Sequence, residues 1–296
     1  MKGNIERALK SLVGLWVGDA YGEQFFARPI PECESVIPAG TWKYTDDTCM
    51  ALSIVEELMT SGEIRQQSLA QRFAERYSKE PARGYGAGVR TLLEKYRDNL
   101  DCNYEARNLF GGGSYGNGAA MRVAPLGAFY CDDIESLIRE AEKSAAVTHA
   151  HAEGRAGAIA IALATGFVSA NPAISGQEML RKIVSHMELS KVRQQIEYAM
   201  DIPAQDLERA AMDLGTGRKV TAQDTVPFCL WIVANYRESY ESALWNTLRG
   251  GGDLDTTCAI VGGIVSCRHK VPERWIASCE RLPAEIMKYI EKITLN

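Results

Sequence analysis

The sequence lacks any run rich in lysine or arginine. Its 33 basic residues are outnumbered by 38 acidic residues, so the formal net charge is -5 at pH 7. Surfaces that bind nucleic acid or anionic membranes need clustered positive charge. The composition therefore argues against nucleic acid as a partner.

A hydrophobic segment long enough to cross a membrane is also missing. Residues 156–177 carry no charge, but their apolar part ends at residue 170, and Asn171 and Pro172 then interrupt it. A bilayer-spanning helix needs about 20 predominantly apolar residues. We interpret this segment, which is rich in alanine and glycine, as a core helix that its neighbours approach closely.

Paired cysteines and an N-terminal signal segment are absent as well. The eight cysteines form no CxxC pair, and several lie in apolar helical patterns, where cysteine behaves as a small hydrophobic residue. The first residues, MKGNIERALKSL, contain no apolar signal segment. We therefore expect reduced cysteines and a cytoplasmic location.

Alternating β-branched segments, which are typical of strands, are not found either. Apolar residues instead recur at helical spacing, as Ile5, Leu9, Leu12 and Trp16 do in the first helix, which we expect to end in the segment 18–22. The predicted helices cover residues 4–21, 46–60, 66–78, 86–98, 133–146, 153–169, 176–188, 190–200, 204–213, 224–237, 239–248, 256–268 and 283–292. The sequence thus predicts an all-α protein.

Two acidic motifs, each followed by an apolar helical segment, lie near opposite ends of the chain. They are TDDTC at residues 45–49 and GGGDLDTTC at residues 250–258. Each could be an ordinary helix N-cap, because Asp and Thr are preferred there. Each could also bind a hard cation, because Mg²⁺ and Mn²⁺ take oxygen ligands. The presence of a second copy of the motif favours a metal site, because a helix cap needs no counterpart in a distant part of the chain.

The four aspartates of these motifs would converge if the two helix starts face each other. Asp46, Asp47, Asp253 and Asp255 would then repel one another and raise each other's pKa, unless cations balance their charge. The motifs belong together only if the chain forms one body, and no linker or short-period repeat divides it. We therefore predict a single domain over residues 1–296, a compact many-helix orthogonal bundle with a central cleft for two divalent cations.

A glycine-rich loop, GGGSYGNG at residues 111–118, is the second candidate site. Its glycines expose backbone N–H groups, and we expect a helix to start directly after it, an arrangement that binds phosphate or pyrophosphate. Ser114, Tyr115 and Asn117 add side-chain donors. A flexible loop without a ligand is the alternative.

Two histidines, His149 and His151, stand at the start of the helix predicted at residues 153–169. A spacing of two residues does not place them on one helical face, so they form a poor zinc pair. His149 is either a structural hydrogen-bonding residue or a ligand contact.

Several segments together resemble the ADP-ribosylglycohydrolase family, which includes dinitrogenase-reductase-activating glycohydrolase and the ADP-ribosyl-acceptor hydrolases. The pair TDDT and GGDxDT is the most specific part of the resemblance. The matching segments follow the family order: VGDAYG (17–22), TDDTCMAL (45–52), GNGAAMRVAPLG (116–127), THAHAEGRAGA (148–158), TVP (225–227), GGDLDTTCAIVGGI (251–264) and VPERWI (271–276).

The resemblance implies an all-α fold, a binuclear Mg²⁺ or Mn²⁺ centre, and hydrolysis of the bond between the anomeric carbon of ADP-ribose and a modified side chain. It implies that one ion is bound by Thr45, Asp46, Asp47 and Asp255, and the other by Asp253, Asp255 and Thr256. It also implies ADP-ribose contacts from the loop and from His149. The loop positions are Gly113, Ser114, Tyr115, Gly116, Asn117 and Gly118.

The sequence departs from the family pattern GDALGxxxE, in which a Glu contributes to metal binding or catalysis. Phe26 occupies that position here, and Glu23 lies three residues earlier. If the segment is helical, a shift of three residues keeps roughly the same side, so Glu23 could substitute. Asp253 is our candidate general base on a water molecule, and Glu23 our candidate for proton transfer or second-metal ligation.

Three functions stay open from the sequence. The favoured one is removal of ADP-ribose from a modified protein or small molecule, with the acceptor (arginine, serine or another group), the choice of cation and the oligomeric state undecided. The second is a catalytically silent ADP-ribose-binding protein, which Phe26 favours. The third is a metal-dependent nucleotide pyrophosphohydrolase. The intact acidic motifs argue against a silent site, which has no reason to keep four converging carboxylates.

Overall fold

The computed structural model describes residues 4–34 and 37–294 of the chain. Within these ranges all regular secondary structure is helical, and extended backbone pairing is limited to two isolated bridges, Trp42 with Cys279 and Gly116 with Thr221. The prediction of an all-α protein is confirmed. The predicted domain of residues 1–296 reaches beyond the described ranges at both ends, and its unity stays a prediction.

Sixteen α-helices occur in the described part of the chain. In chain order they are α1 (Ile5–Glu23), α2 (Asp46–Ser61), α3 (Gln66–Lys79), α4 (Ala87–Arg97), α5 (Cys102–Asn108), α6 (Ala124–Phe129), α7 (Ile134–Ala146), α8 (Ala152–Ala170), α9 (Gly176–Ser185), α10 (Lys191–Ala199), α11 (Leu207–Leu214), α12 (Ala222–Asn235), α13 (Tyr240–Gly250), α14 (Leu254–Val265), α15 (Glu273–Ser278) and α16 (Ala284–Thr294). Every predicted helix is present. The helices α5, α6 and α15 were not predicted, because six or seven residues show little periodicity.

Helix α1 packs most extensively against α14, although the two lie near opposite ends of the chain. A Cβ atom at Gly18 would lie 2.2 Å from the carbonyl oxygen of Cys258, and one at Gly22 would lie 2.2 Å from that of Leu254. The absence of side chains therefore allows the two backbones to touch. The prediction that residues 18–22 end the first helix is wrong, because these glycines form a helix–helix contact and α1 continues to Glu23.

Three apolar helices, α8, α12 and α14, pack against one another in the core. Helix α8 contains most of the uncharged segment 156–177, and its residues from Ala160 to Val168 are buried. The interpretation of this segment as a core helix is confirmed. None of the helices in the described ranges is both long and apolar enough to span a bilayer.

Candidate metal centre and substrate cleft

Three buried or half-buried carboxylates meet where α1, α2 and α14 come together. One oxygen each of Asp19, Asp47 and Asp255 lies within 4.8 Å of the other two. Asp47 is in the first turn of α2 and Asp255 in the first turn of α14, so the two acidic motifs do face each other. Asp19 comes from α1 and was not among the predicted site residues.

Asp19 joins α1 to the start of α2. Its carboxylate accepts hydrogen bonds from the backbone N–H and the hydroxyl of Thr45, with the hydroxyl at 2.8 Å, and from the same two groups of Thr48. These donors include N–H groups at the N-terminus of α2 that have no partner within the helix. The close contact of Gly18 and Gly22 with α14 places Asp19 here. The spacing of these two glycines on α1 was therefore the sequence feature that could have predicted the position of Asp19.

Thr45 is the N-cap of α2, and its hydroxyl oxygen accepts from the N–H of Asp47 at 3.3 Å. For Thr45, the capping interpretation is therefore correct. Asp253 occupies the N-cap position of α14, but its side chain makes no capping hydrogen bond. Its Oδ2 instead accepts from Asn117 Nδ2 at 2.8 Å, which ties the glycine-rich loop to the acidic motif.

The acidic motifs and the glycine-rich loop open into one cleft of about 240 Å³. The predicted site residues on its walls are Asp46, Asp47, Asp253, Asp255 and Thr256 on the acidic side and Ser114, Gly116, Asn117, Gly118 and His149 on the loop side. The predicted loop contacts Gly113 and Tyr115 lie outside these walls. A Cβ atom at Gly113 would meet the backbone nitrogen of His151 at 2.6 Å, and the Tyr115 ring lies edge-on to His151.

The loop is not followed directly by an α-helix. A 3₁₀ turn at Asn117–Ala119 comes first, and α6 begins only at Ala124. The expectation of an α-helix N-terminus directly behind the loop is therefore wrong. His151 caps α8 by accepting from the N–H of Glu153, which is a structural role.

Two residues on the wall, Phe110 and Val220, were missed by the sequence analysis. Both have left-handed backbones, with φ of 56° and 53°, and both are mostly exposed. This conformation is uncommon for residues other than glycine and strained for a β-branched residue. No side-chain periodicity signals such positions, because the loop closure that imposes them is a tertiary effect.

Glu23 and Phe26 do not share a helical side. Glu23 is the last residue of α1 and is half-buried, whereas Phe26 lies in the following turn and is 55% exposed. The condition under which Glu23 would replace the missing Glu by a shift of three residues is not met. Burial, followed by the charge of Asp19, raises the pKa of Glu23.

The aspartates of the centre have raised pKa values. Burial, followed by the charges of Asp255 and Asp19, raises the pKa of Asp47 well above its ordinary value, and burial and Asp253 act likewise on Asp255. Burial and the charge of Asp19 raise the pKa of Asp46 to about 7. In addition, Asp47 Oδ1 is buried without a hydrogen-bond partner. A concentrated set of oxygen donors with an unpaired buried atom fits a hard divalent cation.

Without divalent cations, we expect the melting temperature to fall as the pH is raised from 5 to 8. Carboxyl groups with raised pKa stabilise the folded protein fully below their unfolded pKa of about 3.9, and this contribution is lost as the pH rises through their folded values. For Asp46 that value is about 7. Saturating Mg²⁺ should cancel the fall if it binds and neutralises the folded carboxylates. Thermal unfolding with chelator and with Mg²⁺ tests this. A chelated protein that becomes more stable over this range would contradict it.

The family model described as ADP-ribosylglycohydrolase matches residues 2–296. The chain therefore belongs to the ADP-ribosylglycohydrolase family, as its motifs predicted.

Among individual relatives, ADP-ribosylhydrolase ARH3 of Homo sapiens is 32% identical over 330 residues, which cover 94% of this chain and 90% of that protein. ADP-ribosylarginine hydrolase Tri1 of Serratia proteamaculans is 23% identical over 292 residues, which cover 92% of this chain and 75% of that protein. A solved structure described as an ADP-ribosylglycohydrolase-related protein complex superposes with a TM-score of 0.71 at 23% identity, over 100% of this chain and 98% of that one. This structural likeness supports the fold alone.

Proposed function

We propose that this chain is a divalent-cation-dependent hydrolase that releases ADP-ribose from a modified protein or small molecule. The observation that carries the proposal is the single cleft shared by both acidic motifs and the glycine-rich loop. The relatives that carry the name ADP-ribosylhydrolase support the reaction class. Both N- and O-glycosidic bonds to the acceptor are compatible with it.

The acidic side of the cleft would hold two cations, Mg²⁺ or Mn²⁺. The proposed ligands are Thr45, Asp46, Asp47, Asp253, Asp255 and Thr256. Asp19 receives the hydroxyl proton of Thr45, which leaves an oxygen lone pair of Thr45 for a cation. When bound, a divalent cation supplies Lewis-acid polarisation of the oxygen atoms that contact it.

The loop side would hold ADP-ribose. Ser114, Gly116, Asn117 and Gly118 border the cleft, and exposed backbone N–H groups of such loops suit a diphosphate. His149 lines the same wall. The exposed ring of Phe110 at the cleft offers a stacking face for the adenine. Gly113 and Tyr115 stay predicted contacts that would require the loop to adjust.

Asp253 is the proposed general base. Its Oδ2 is held by the Asn117 amide, so the carboxylate is oriented toward the cleft that it lines. It would take a proton from the attacking water as that water reaches the anomeric carbon. Glu23 is the proposed proton donor to the departing acceptor, and its place at the end of α1, near the charge of Asp19, supports this role.

Replacing Glu23 by glutamine should lower kcat by about 10²-fold, the usual scale for a lost acid–base group. ADP-ribose affinity should change little, because the loop side binds the ligand. Kinetics and calorimetry on Glu23→Gln measure both values. The matched control is Glu32→Gln, an exposed carboxylate in the loop after α1. Normal turnover by Glu23→Gln would remove Glu23 from the mechanism and leave the proton transfer to Asp253 and water.

A product assay tests the proposed function. Peptides ADP-ribosylated on arginine or on serine, and ADP-ribosylated small molecules, are incubated with the protein and Mg²⁺. Release of free ADP-ribose from any of them supports the proposal. Release of AMP would support a pyrophosphohydrolase, and tight binding without turnover would support a silent binding protein.

The cytoplasmic location inferred from the sequence stays a prediction.

A further inference from the structure

His149 presents one ring nitrogen to the cleft and the other to the protein. Its side chain is buried, and its Nδ1 lies 2.7 Å from Thr148 Oγ1. Nε2 has no hydrogen-bond partner in the described part of the chain, and it faces the glycine-rich loop. Cβ atoms at Gly116 and Gly118 would lie only 3.1 and 3.0 Å from it. The two glycines therefore leave open the space in front of Nε2.

Arg122 lies next to Thr148 and is completely buried. Its Nη2 donates to Thr148 Oγ1 at 2.8 Å and to the carbonyl oxygen of Ser144 at 3.0 Å, and its guanidinium lies over the ring of Phe73. Burial lowers the pKa of Arg122 to about 9, so the group is still charged at pH 7. A charged guanidinium has donors and no acceptor. The Thr148 oxygen must therefore accept from Arg122.

The hydroxyl proton of Thr148 then needs an acceptor, and His149 Nδ1 is the group at hydrogen-bond distance. The opposite tautomer, with a proton on Nδ1, would leave this buried hydroxyl proton unpaired, which is costly. The doubly protonated ring is disfavoured too, because burial, followed by the charge of Arg122, lowers the pKa of His149 to about 3.

We propose that Arg122 and Thr148 fix His149 as the neutral tautomer with its proton on Nε2, so that His149 donates a hydrogen bond to an oxygen of the bound ligand. The tautomer follows from the protein alone, whereas the identity of the ligand as ADP-ribose rests on the proposed function. Arg122 and Thr148 are positioning residues. The donor selects a phosphate or ribose oxygen over an N–H group at this point of the cleft.

NMR of the full chain labelled with ¹⁵N-histidine tests the tautomer without any substrate. The chain has four histidines, and the His149→Gln variant identifies the His149 signals. In two-bond ¹H–¹⁵N spectra with Mg²⁺ present, we expect a protonated Nε2 and a hydrogen-bonded, unprotonated Nδ1 from pH 5.5 to 8. A protonated Nδ1, or an imidazolium ring at pH 7, would overturn the proposal.

Addition of ADP-ribose tests the donor role. The Nε2–H signal should shift on binding, and Thr148→Val, which keeps the side-chain shape, should change the Nδ1 signal and weaken ADP-ribose binding about tenfold, the scale of one hydrogen bond. Thr148→Ser restores the hydroxyl and should bind within about twofold of the wild-type value. Unchanged affinity in Thr148→Val would overturn the positioning role.

The remaining outcomes separate this proposal from the proposed function. If Thr148→Val does not fold, the wild-type spectrum still tests the tautomer, and the shift of the Nε2–H signal on ADP-ribose binding still tests the donor role. If wild-type protein fails to bind ADP-ribose, the proposed function and the donor role fail together. If ADP-ribose binds but Nδ1 carries the proton, the present inference fails alone.

Discussion

Replacing Asp19 by alanine is expected to lower the free energy of unfolding by about 3 kcal/mol or more and to weaken cation binding about 10–100-fold. The substitution removes the acceptor of four hydrogen bonds from Thr45 and Thr48 at the start of α2. The two hydroxyls can rotate toward other acceptors, but the two buried backbone N–H groups cannot. Thr45 would also lose the group that receives its hydroxyl proton and orients its oxygen.

Denaturant unfolding and Mn²⁺ titration of Asp19→Ala measure these effects. Asp19→Asn keeps one acceptor oxygen and should fall between alanine and the wild type. Glu6→Ala, an exposed carboxylate on the same helix, should change stability by no more than about 0.5 kcal/mol. Wild-type cation affinity in Asp19→Ala would show that Asp19 does not organise the centre.

Replacing Asp255 by asparagine should cause the largest loss of function, with turnover falling by about 10²-fold or more. Asp255 has an oxygen within 4.8 Å of those of Asp19 and Asp47, the charge of Asp253 also raises its pKa, and both proposed ion sites use it. Asparagine can keep the hydrogen bond that Asp255 Oδ1 accepts from the N–H of Thr256. The variant therefore tests charge and ligation with little change in local structure.

The same variant should be more stable than the wild type when cations are removed. Loss of one buried charge relieves the repulsion that raises the pKa of Asp47. Asp253→Asn is the matched comparison, because Asp253 is proposed to bind only one ion. Calorimetric Mn²⁺ titrations compare the cation affinities of the two variants, and melting curves recorded with chelator compare their stabilities without cations. Equal cation affinities in the two variants would contradict the bridging position of Asp255.

The helices and the pairing of the two acidic motifs could be predicted because they depend on local patterns. Apolar spacing located every long helix, and two copies of one motif implied a shared site. The end of α1 could not be predicted in this way. Gly18 and Gly22 indicate a helix end by composition, but the contact with α14 keeps them helical, and that contact is invisible to local propensity.

Asp19 was missed for the same reason. Asp19 lies between glycines in the segment VGDAYG, but nothing in that segment pairs it with the distant acidic motifs, and its role arises only when α1 places it against the start of α2. The α-helix expected directly after the glycine-rich loop was wrong, because a 3₁₀ turn begins at Asn117, whose side chain donates to Asp253 and Thr225. In both cases the residue makes hydrogen bonds to residues distant in the sequence, which local patterns do not reveal.

We propose that acidic residues from the two distant motifs form one centre that binds two cations. Anomalous diffraction from crystals grown with Mn²⁺ measures this directly. We expect two Mn²⁺ peaks in the cleft, both within coordination distance of Asp255, one also contacting Asp47 and the other Asp253. A protein that saturates with Mn²⁺ elsewhere, or shows no peak between Asp47 and Asp255, would contradict the account.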